Sequence, residues 1–148
     1  MSSLTTIKVR GYHLDIYGHV NNARYLEFFE EARWEFFERL DMVRLMEEAQ
    51  QAFVLVNTNV TYKLPGIVGD VFDIETRIDD LGTKSCKVGQ TIRSRKSGKV
   101  VTEGVFTFCL IDIKTNMPIP FEGIMRDELE RMIEYAASQA KKAETAEA

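Results

Sequence analysis

Cysteine is nearly absent from this chain. Cys86 and Cys109 are the only two and lack C-x-x-C spacing, which excludes a disulfide-stapled scaffold and a thiolate metal site. Two buried thiols in a reducing compartment are expected instead. No apolar run reaches the roughly 18 residues of a membrane span and no stretch resembles a secretory leader, which points to a soluble cytoplasmic protein. With three prolines, nine glycines and no internal repeat, there is no linker to divide the chain, so residues 1–148 are expected to form one domain. Positive charge is in deficit: a net charge of −4 argues against a general nucleic-acid binder but leaves room for a local basic patch.

What is present begins with Asp15-Ile16-Tyr17-Gly18-His19-Val20-Asn21-Asn22, a carboxylate and a glycine turn directly ahead of an apolar-periodic run. Tyr25, Phe28, Phe29, Ala32, Phe36, Phe37 and Leu40 recur at three- and four-residue spacing and predict an amphipathic helix over 23–40. The start of a helix carries unpaired N–H groups and a partial positive charge, which polarise a carbonyl or stabilise an oxyanion. An acid beside that pole suggests hydrolysis.

Around the helix the pattern is that of strands. Thr5 to Arg10 alternates and ends at Gly11; Phe53 to Tyr62 is rich in Val, Phe and Thr and stops at Lys63-Leu64-Pro65-Gly66. Phe72, Ile74, Thr76 and Ile78 alternate with charged residues, as in a strand with one wet face. Ser85 to Arg95 and Lys99 to Asp112 follow, the latter apolar on both faces as suits a central strand. A two-residue turn at Ser97-Gly98 would set Cys86 opposite Cys109. Val43 to Ala49 reads as a short helical piece, Pro118 and Pro120 as the end of the sheet, and Leu129 to Ala136 as a C-terminal helix, with the tail after Gln139 expected to fray. The class is α+β: one antiparallel sheet wrapped on one helix. The strand over 53–62 would be hazardous as an exposed edge, a hazard that pairing with a second copy removes.

The string D-x-x-G-x-V-x-x-x-x-Y, carried here by Asp15, Gly18, Val20 and Tyr25, resembles the hallmark of the hotdog-fold acyl-CoA thioesterases of the 4-hydroxybenzoyl-CoA thioesterase type. Lys8 to Leu14 before it and the run from His19 to Trp34 are similar to the bacterial long-chain acyl-CoA thioesterase III group, and likeness extends over most of residues 7–135. The resemblance implies a five-stranded antiparallel sheet around the helix and a dimer through the second strand, in some members a tetramer. It further implies active sites at subunit interfaces, no metal or prosthetic group, and hydrolysis of fatty acyl-CoA to free acid and coenzyme A in fatty acid metabolism. By position it implies Asp15 as nucleophile or general base and the backbone N–H of Asn22 as oxyanion donor.

Each of these residues also has a plainer role. An Asp three residues before Gly is a common acceptor for loop N–H groups, and Asn21 or Asn22 suits an N-cap. His19 either orients the loop or contacts Asp15, and His13-x-Asp15-x3-His19 matches no usual zinc spacing. Glu30 and Glu31 are alternative acids, more simply read as partners of Arg33 or of neighbouring side chains on the helix. Between Lys84 and Lys99 the bases Lys84, Lys87, Arg93, Arg95 and Lys96 stand without an acid, as coenzyme A phosphates would require or as a solvated hairpin would tolerate. Lys63 is a further candidate, and Tyr25 with the other aromatic residues of the helix is expected to build the core and line part of an acyl tunnel. Two rival functions use the same scaffold: a regulator that binds acyl-CoA without cleaving it, and a hydratase built on a His and acid pair.

Overall fold

Strand alternation and helical spacing translate into ten elements in a computed structural model that describes residues 3–147. In chain order these are β1 (Ser3–Lys8), a 3₁₀ turn (Gly11–His13), α1 (Asn22–Arg39), α2 (Met42–Ala49), β2 (Gln51–Tyr62), β3 (Val71–Leu81), β4 (Ser85–Ser94), β5 (Val100–Asp112), β6 (Met117–Ile119) and α3 (Gly123–Glu147). All sheet pairings are antiparallel, in the order β1-β3-β4-β5-β2, with β6 on β5.

The apolar stripe of α1 lies on the concave face of this sheet. Phe29, Ala32 and Phe36 are buried against Ile74, Ile92 and Phe106, which share one face because pairing runs Ile74 to Ile92 and Val88 to Phe106. Truncating one of these phenylalanines to Ala is expected to cost about 3–5 kcal/mol through lost burial and the cavity left behind. A polar cluster sits among them. Gln90 is fully buried; its Nε2 donates to Phe29 O and Thr76 Oγ1, both at 2.9 Å, and its Oε1 accepts from Arg33 Nη1 at 2.9 Å. The partner of Arg33 is thus a glutamine three strands into the sheet rather than Glu30 or Glu31.

Three expectations are corrected. The connection after β4 is longer than two residues: Ser94 N donates to Lys99 O, Gly98 N to Ser94 O, and Gly98 takes φ +70°. With a register shift at Ile92/Arg93, Cys86 faces Phe108 while Cys109 faces Ser85, so the two free thiols lie on opposite faces of the sheet. Pro118 does not end the sheet. Beyond the last β4–β5 pair, β6 takes up Leu110 to Asp112 in line with β4, and as an edge element it tolerates a proline without an N–H. The sheet therefore has six strands, not five. Finally, the C-terminal helix is longer than Leu129 to Ala136: α3 runs Gly123–Glu147, its exposed last turns built of Ala, Lys and Glu, which are strong helix formers.

Strand β2 is one edge of the sheet. Val54, Leu55 and Val56 along it are 37%, 43% and 58% exposed, an apolar edge of the kind proteins cover.

Candidate active site

The loop before α1 is held almost wholly by its own backbone. Leu14 and Val20 bridge, Asp15 N donates to His19 O at 2.8 Å, Gly18 N to Asp15 O at 3.1 Å, and Gly18 adopts φ +74° to close the turn. Asn21 N donates to His13 O and Val20 N to Gly66 O, which strap the loop to the 3₁₀ turn and to the segment after β2. A side chain at 66 would not fit: a Cβ there would lie 2.7 Å from the Phe72 ring, 2.9 Å from Tyr25 Oη and 2.9 Å from Val20.

Within this frame Asp15 does two things at once. Its Oδ1 accepts from Tyr17 N at 2.9 Å and more loosely from His19 N at 3.4 Å, the ordinary loop role of an aspartate. Its Oδ2 accepts nothing from the described residues. At the helix start, Asn21 is the N-cap: Oδ1 accepts from Ala23 N at 3.0 Å and its carbonyl from Arg24 N at 2.9 Å. The Asn22 N–H is left without an acceptor among the described residues, and no acid stands in the first turn to offset the helix pole. Arg24 in that turn is tied to Glu27 at 3.0 Å.

These groups open onto one cleft of about 460 Å³ whose walls include Asp15, His19, Asn22, Tyr25, Tyr62 and Lys63. His19 is exposed on the wall, and only its backbone N–H meets Asp15. Tyr25 is 3% exposed; its ring stacks on Phe72, and its hydroxyl lies buried beside the Gly66 backbone and the Thr102 hydroxyl, near enough to feel both but with no hydrogen bond of ordinary geometry. Burial pushes the Tyr25 hydroxyl up to about 12, so it stays protonated. Lys63 reaches Glu103 at 3.0 Å across the strand end. Tyr62, which sequence reasoning had not singled out, donates from Oη to Asn22 O at 3.1 Å and pins the end of β2 to the helix start.

His13 is elsewhere engaged. It is buried edge-on against Phe28, its Nδ1 accepts from Arg10 N at 2.9 Å, and burial lowers its pKa from the usual value, which suits a neutral acceptor. The His13-Asp15-His19 trio does not converge, and no group of three metal-ligating side chains occurs among the described residues.

The acid-free basic stretch is not one patch. Arg93, Arg95 and Lys96 lie at the β4–β5 turn, the end of the sheet that carries the cleft, since Lys63 N bonds Val101 O and Arg95 N bonds Val71 O. Lys84 lies at the other end of β4, about 30 Å away at the usual rise per strand residue. Arg95 is committed to Asp73, with Nε to Oδ2 at 3.0 Å and Nη2 to Oδ1 at 2.6 Å.

Known proteins share this architecture. The chain is 46% identical over 129 residues to the long-chain acyl-CoA thioesterase FadM of Escherichia coli, a match covering 87% of this chain and 98% of that protein. It is 28% identical to the acyl-CoA thioesterase YbgC of Haemophilus influenzae over 109 residues, 72% of this chain and 79% of that one. Among solved structures, the probable thioesterase YbaW of Escherichia coli superposes with a TM-score of 0.83 at 45% identity, covering 88% of this chain and 98% of that chain. A family model described as "Thioesterase-like superfamily" matches residues 9–133, which span the Asp15 loop, α1 and the whole sheet beyond β1, and the chain belongs to that family.

Proposed function

We propose that this chain hydrolyses fatty acyl-CoA thioesters to free fatty acid and coenzyme A. The observation that carries this is the coincidence, in one cleft, of a carboxylate oxygen and a helix-terminal N–H that both lack partners among the described residues. A thioester carbonyl seated at the start of α1 would accept from Asn22 N–H, and charge developing on its oxygen would be met by the helix pole. Asp15 Oδ2 then either attacks the carbonyl carbon, giving a mixed anhydride that water cleaves, or takes a proton from the water that attacks. In both routes the C–S bond breaks and the sulfur leaves as thiolate, which needs little acid assistance. Oδ1 stays bound to loop N–H groups throughout, so the carboxylate keeps its aim.

The coenzyme A arm suits the basic end of the sheet. Lys63 on the cleft wall and Arg93 and Lys96 at the β4–β5 turn are the side chains we assign to its phosphates, as point charges and as a fork. Arg95 serves the frame through Asp73, and Lys84 stands too far off to reach this chain's own cleft. His19 lines the mouth as a polar contact. The exposed apolar edge of β2 supports a dimer built by pairing that strand with its copy, and a tetramer where dimers stack; a mass measurement in solution tests both. A cytoplasmic site of action fits a substrate made and consumed there.

A free-thiol assay over saturated, unsaturated and hydroxylated acyl-CoAs tests the reaction. Thiol release that depends on the protein is the expected result. Tight binding of acyl-CoA with no thiol released would make this the non-catalytic regulator instead.

A further inference from the structure

Three surface turns meet at the end of the sheet that carries the cleft, and each holds a large apolar side chain at its tip. In the loop before α1, Gly18 N donates to Asp15 O at 3.1 Å, which makes Ile16 and Tyr17 the central residues of a tight turn, 92% and 77% exposed. After β2, Asp70 N donates to Ile67 O at 3.1 Å and Gly69 takes φ +88°, so Val68 is the corner of a second turn. Ile67, Val68 and Tyr12, the last in the middle of the 3₁₀ turn, are all more than half exposed. Turn corners are ordinarily taken by Gly, Pro, Asn, Asp or Ser. The β3–β4 turn at the other end of the sheet is polar, with Gly82, Thr83 and Lys84.

These tips are held out by backbone bonds. Val9 N to Asp70 O, Gly69 N to Val9 O, Val20 N to Gly66 O and Asn21 N to His13 O, each at 2.8 or 2.9 Å, tie the three turns into one platform. Lys8, Arg10 and Tyr12 run on from β1 while Ile67 and Val68 lead into β3, at the opposite side of the sheet from β2, so a pair formed along β2 leaves them uncovered. Charge at this end is largely of one sign, in a chain whose net charge is −4. Lys8, Arg10, Arg93, Lys96 and Lys99 have no ion pair among the described residues, whereas Lys63 and Arg95 meet Glu103 and Asp73. The two remaining acids, Asp15 and Asp70, accept from loop N–H groups.

We propose that this end of the molecule docks on an anionic lipid bilayer, with Ile16, Tyr17, Ile67 and Val68 entering the boundary between headgroups and acyl chains and Lys8, Arg10 and Lys99 meeting the lipid phosphates. Separate apolar tips on convex turns form neither the flat face nor the groove that a folded partner fills, but they suit shallow insertion. Tyr12 and Tyr17 fit the headgroup level, since each joins an apolar ring to a polar tip. Apolar insertion and basic attraction together hold a protein at a membrane where either one alone is marginal. The docking does not rest on the thioesterase reading. Under that reading, the cleft opens beside a surface in which an acyl-CoA is anchored by its own chain.

The test floats the full chain with vesicles of phosphatidylglycerol and phosphatidylcholine in equal parts, and with phosphatidylcholine alone. Partition onto the anionic vesicles is expected to exceed that onto the neutral ones by roughly tenfold or more, and to fall as salt is raised. Ile67→Ser/Val68→Ser, which removes one apolar tip and keeps a residue suited to turns, should bind the anionic vesicles roughly tenfold more weakly with native melting. Lys8→Gln/Arg10→Gln should lose roughly fivefold per base, and carries the test if the serine variant does not fold. Lys84→Gln/Lys114→Gln, the same charge removed from the far end of the sheet, should lose little. Equal partition onto both kinds of vesicle, or native partition by the serine variant, would overturn the proposal. So would a lower solution mass for that variant, which would make the patch a contact between copies. Asp15→Asn should dock as the native chain does. A chain that docks but releases no thiol from acyl-CoA would sink the hydrolytic reading alone, and one that hydrolyses dispersed acyl-CoA yet ignores vesicles would sink this proposal alone.

Discussion

The first turn of α1 and its fourth turn, about 16 Å apart at 1.5 Å per residue, handle charge in opposite ways. At the first turn the charge is partial and exposed: no acid stands in that turn to offset the helix pole at Asn22 N–H, and across the cleft Asp15 keeps one oxygen without a partner among the described residues. At the fourth turn the charge is whole and buried, and Arg33 is held by an amide and two rings. Substitutions at the first should therefore remove chemistry and leave the fold, while substitutions at the fourth should weaken the fold first.

The largest effect is expected from Asp15→Asn. The amide retains an oxygen for Tyr17 N–H and so keeps the loop, but it neither attacks nor accepts a proton; thiol release should fall by about 10² to 10⁴ with the thermal midpoint nearly unchanged. Arg33→Met alone should act the other way, lowering stability by about 1–3 kcal/mol because Gln90 Oε1 is left buried without a donor. Denaturant unfolding measures it, and a loss near zero would mean that the cluster does not hold α1 to the sheet.

Gly66→Ala tests the wall behind the first turn. Its added methyl meets Phe72, Tyr25 and Val20 at 2.7–2.9 Å, so a destabilisation of about 1–3 kcal/mol is expected together with reduced turnover, as the strap from Val20 N to Gly66 O shifts. The smallest effect concerns acid. Hydrogen bonds from Arg95 hold the Asp73 carboxyl below its usual range; burial opposes them, and a hydrogen bond from Thr6 and the Arg95 charge add to the lowering. A lowered carboxyl pKa means that the folded state binds that proton less readily than the unfolded chain. The contribution is complete above the ordinary carboxylate range and is lost as pH falls through the lowered value. Asp73→Asn should thus reduce stability at neutral pH and make its decline on acidification shallower, which thermal melts from pH 7 to pH 2 would follow.

Much of this was legible in order along the chain. The helix announced itself because its apolar positions fall on one face, and β3 because its other face is wet with Asp73, Glu75, Arg77 and Asp79. Asp15, His19 and Asn22 were readable together because the site's chemical half is a single contiguous loop. What escaped depends on distance or on a single backbone angle. Tyr62 meets Asn22 across 40 positions, and nothing local in a strand-end tyrosine marks it. Gln90 looks like any polar residue in a strand until the strand is central and α1 lies over it, so the partner of Arg33 was assigned to the helix instead. The cysteine register failed by one position because the turn, with Gly98 at positive φ, is two residues longer and the irregularity at Ile92/Arg93 takes one position back; β6 was missed because a proline at a sheet edge reads like a proline that ends a sheet.

The most direct test of the account is Asn22→Pro. Proline is well accommodated at the first position of a helix, and Asn21 already has φ −60° and ψ 135°, the extended conformation favoured before proline. The substitution deletes one N–H, the one assigned to the oxyanion, and leaves Asp15, the cap and the helix in place. Turnover of a fatty acyl-CoA is expected to drop by about 10² to 10³ in a protein with native circular dichroism and native melting. A folded variant that hydrolyses at the native rate would contradict the claim that the start of α1 polarises the thioester.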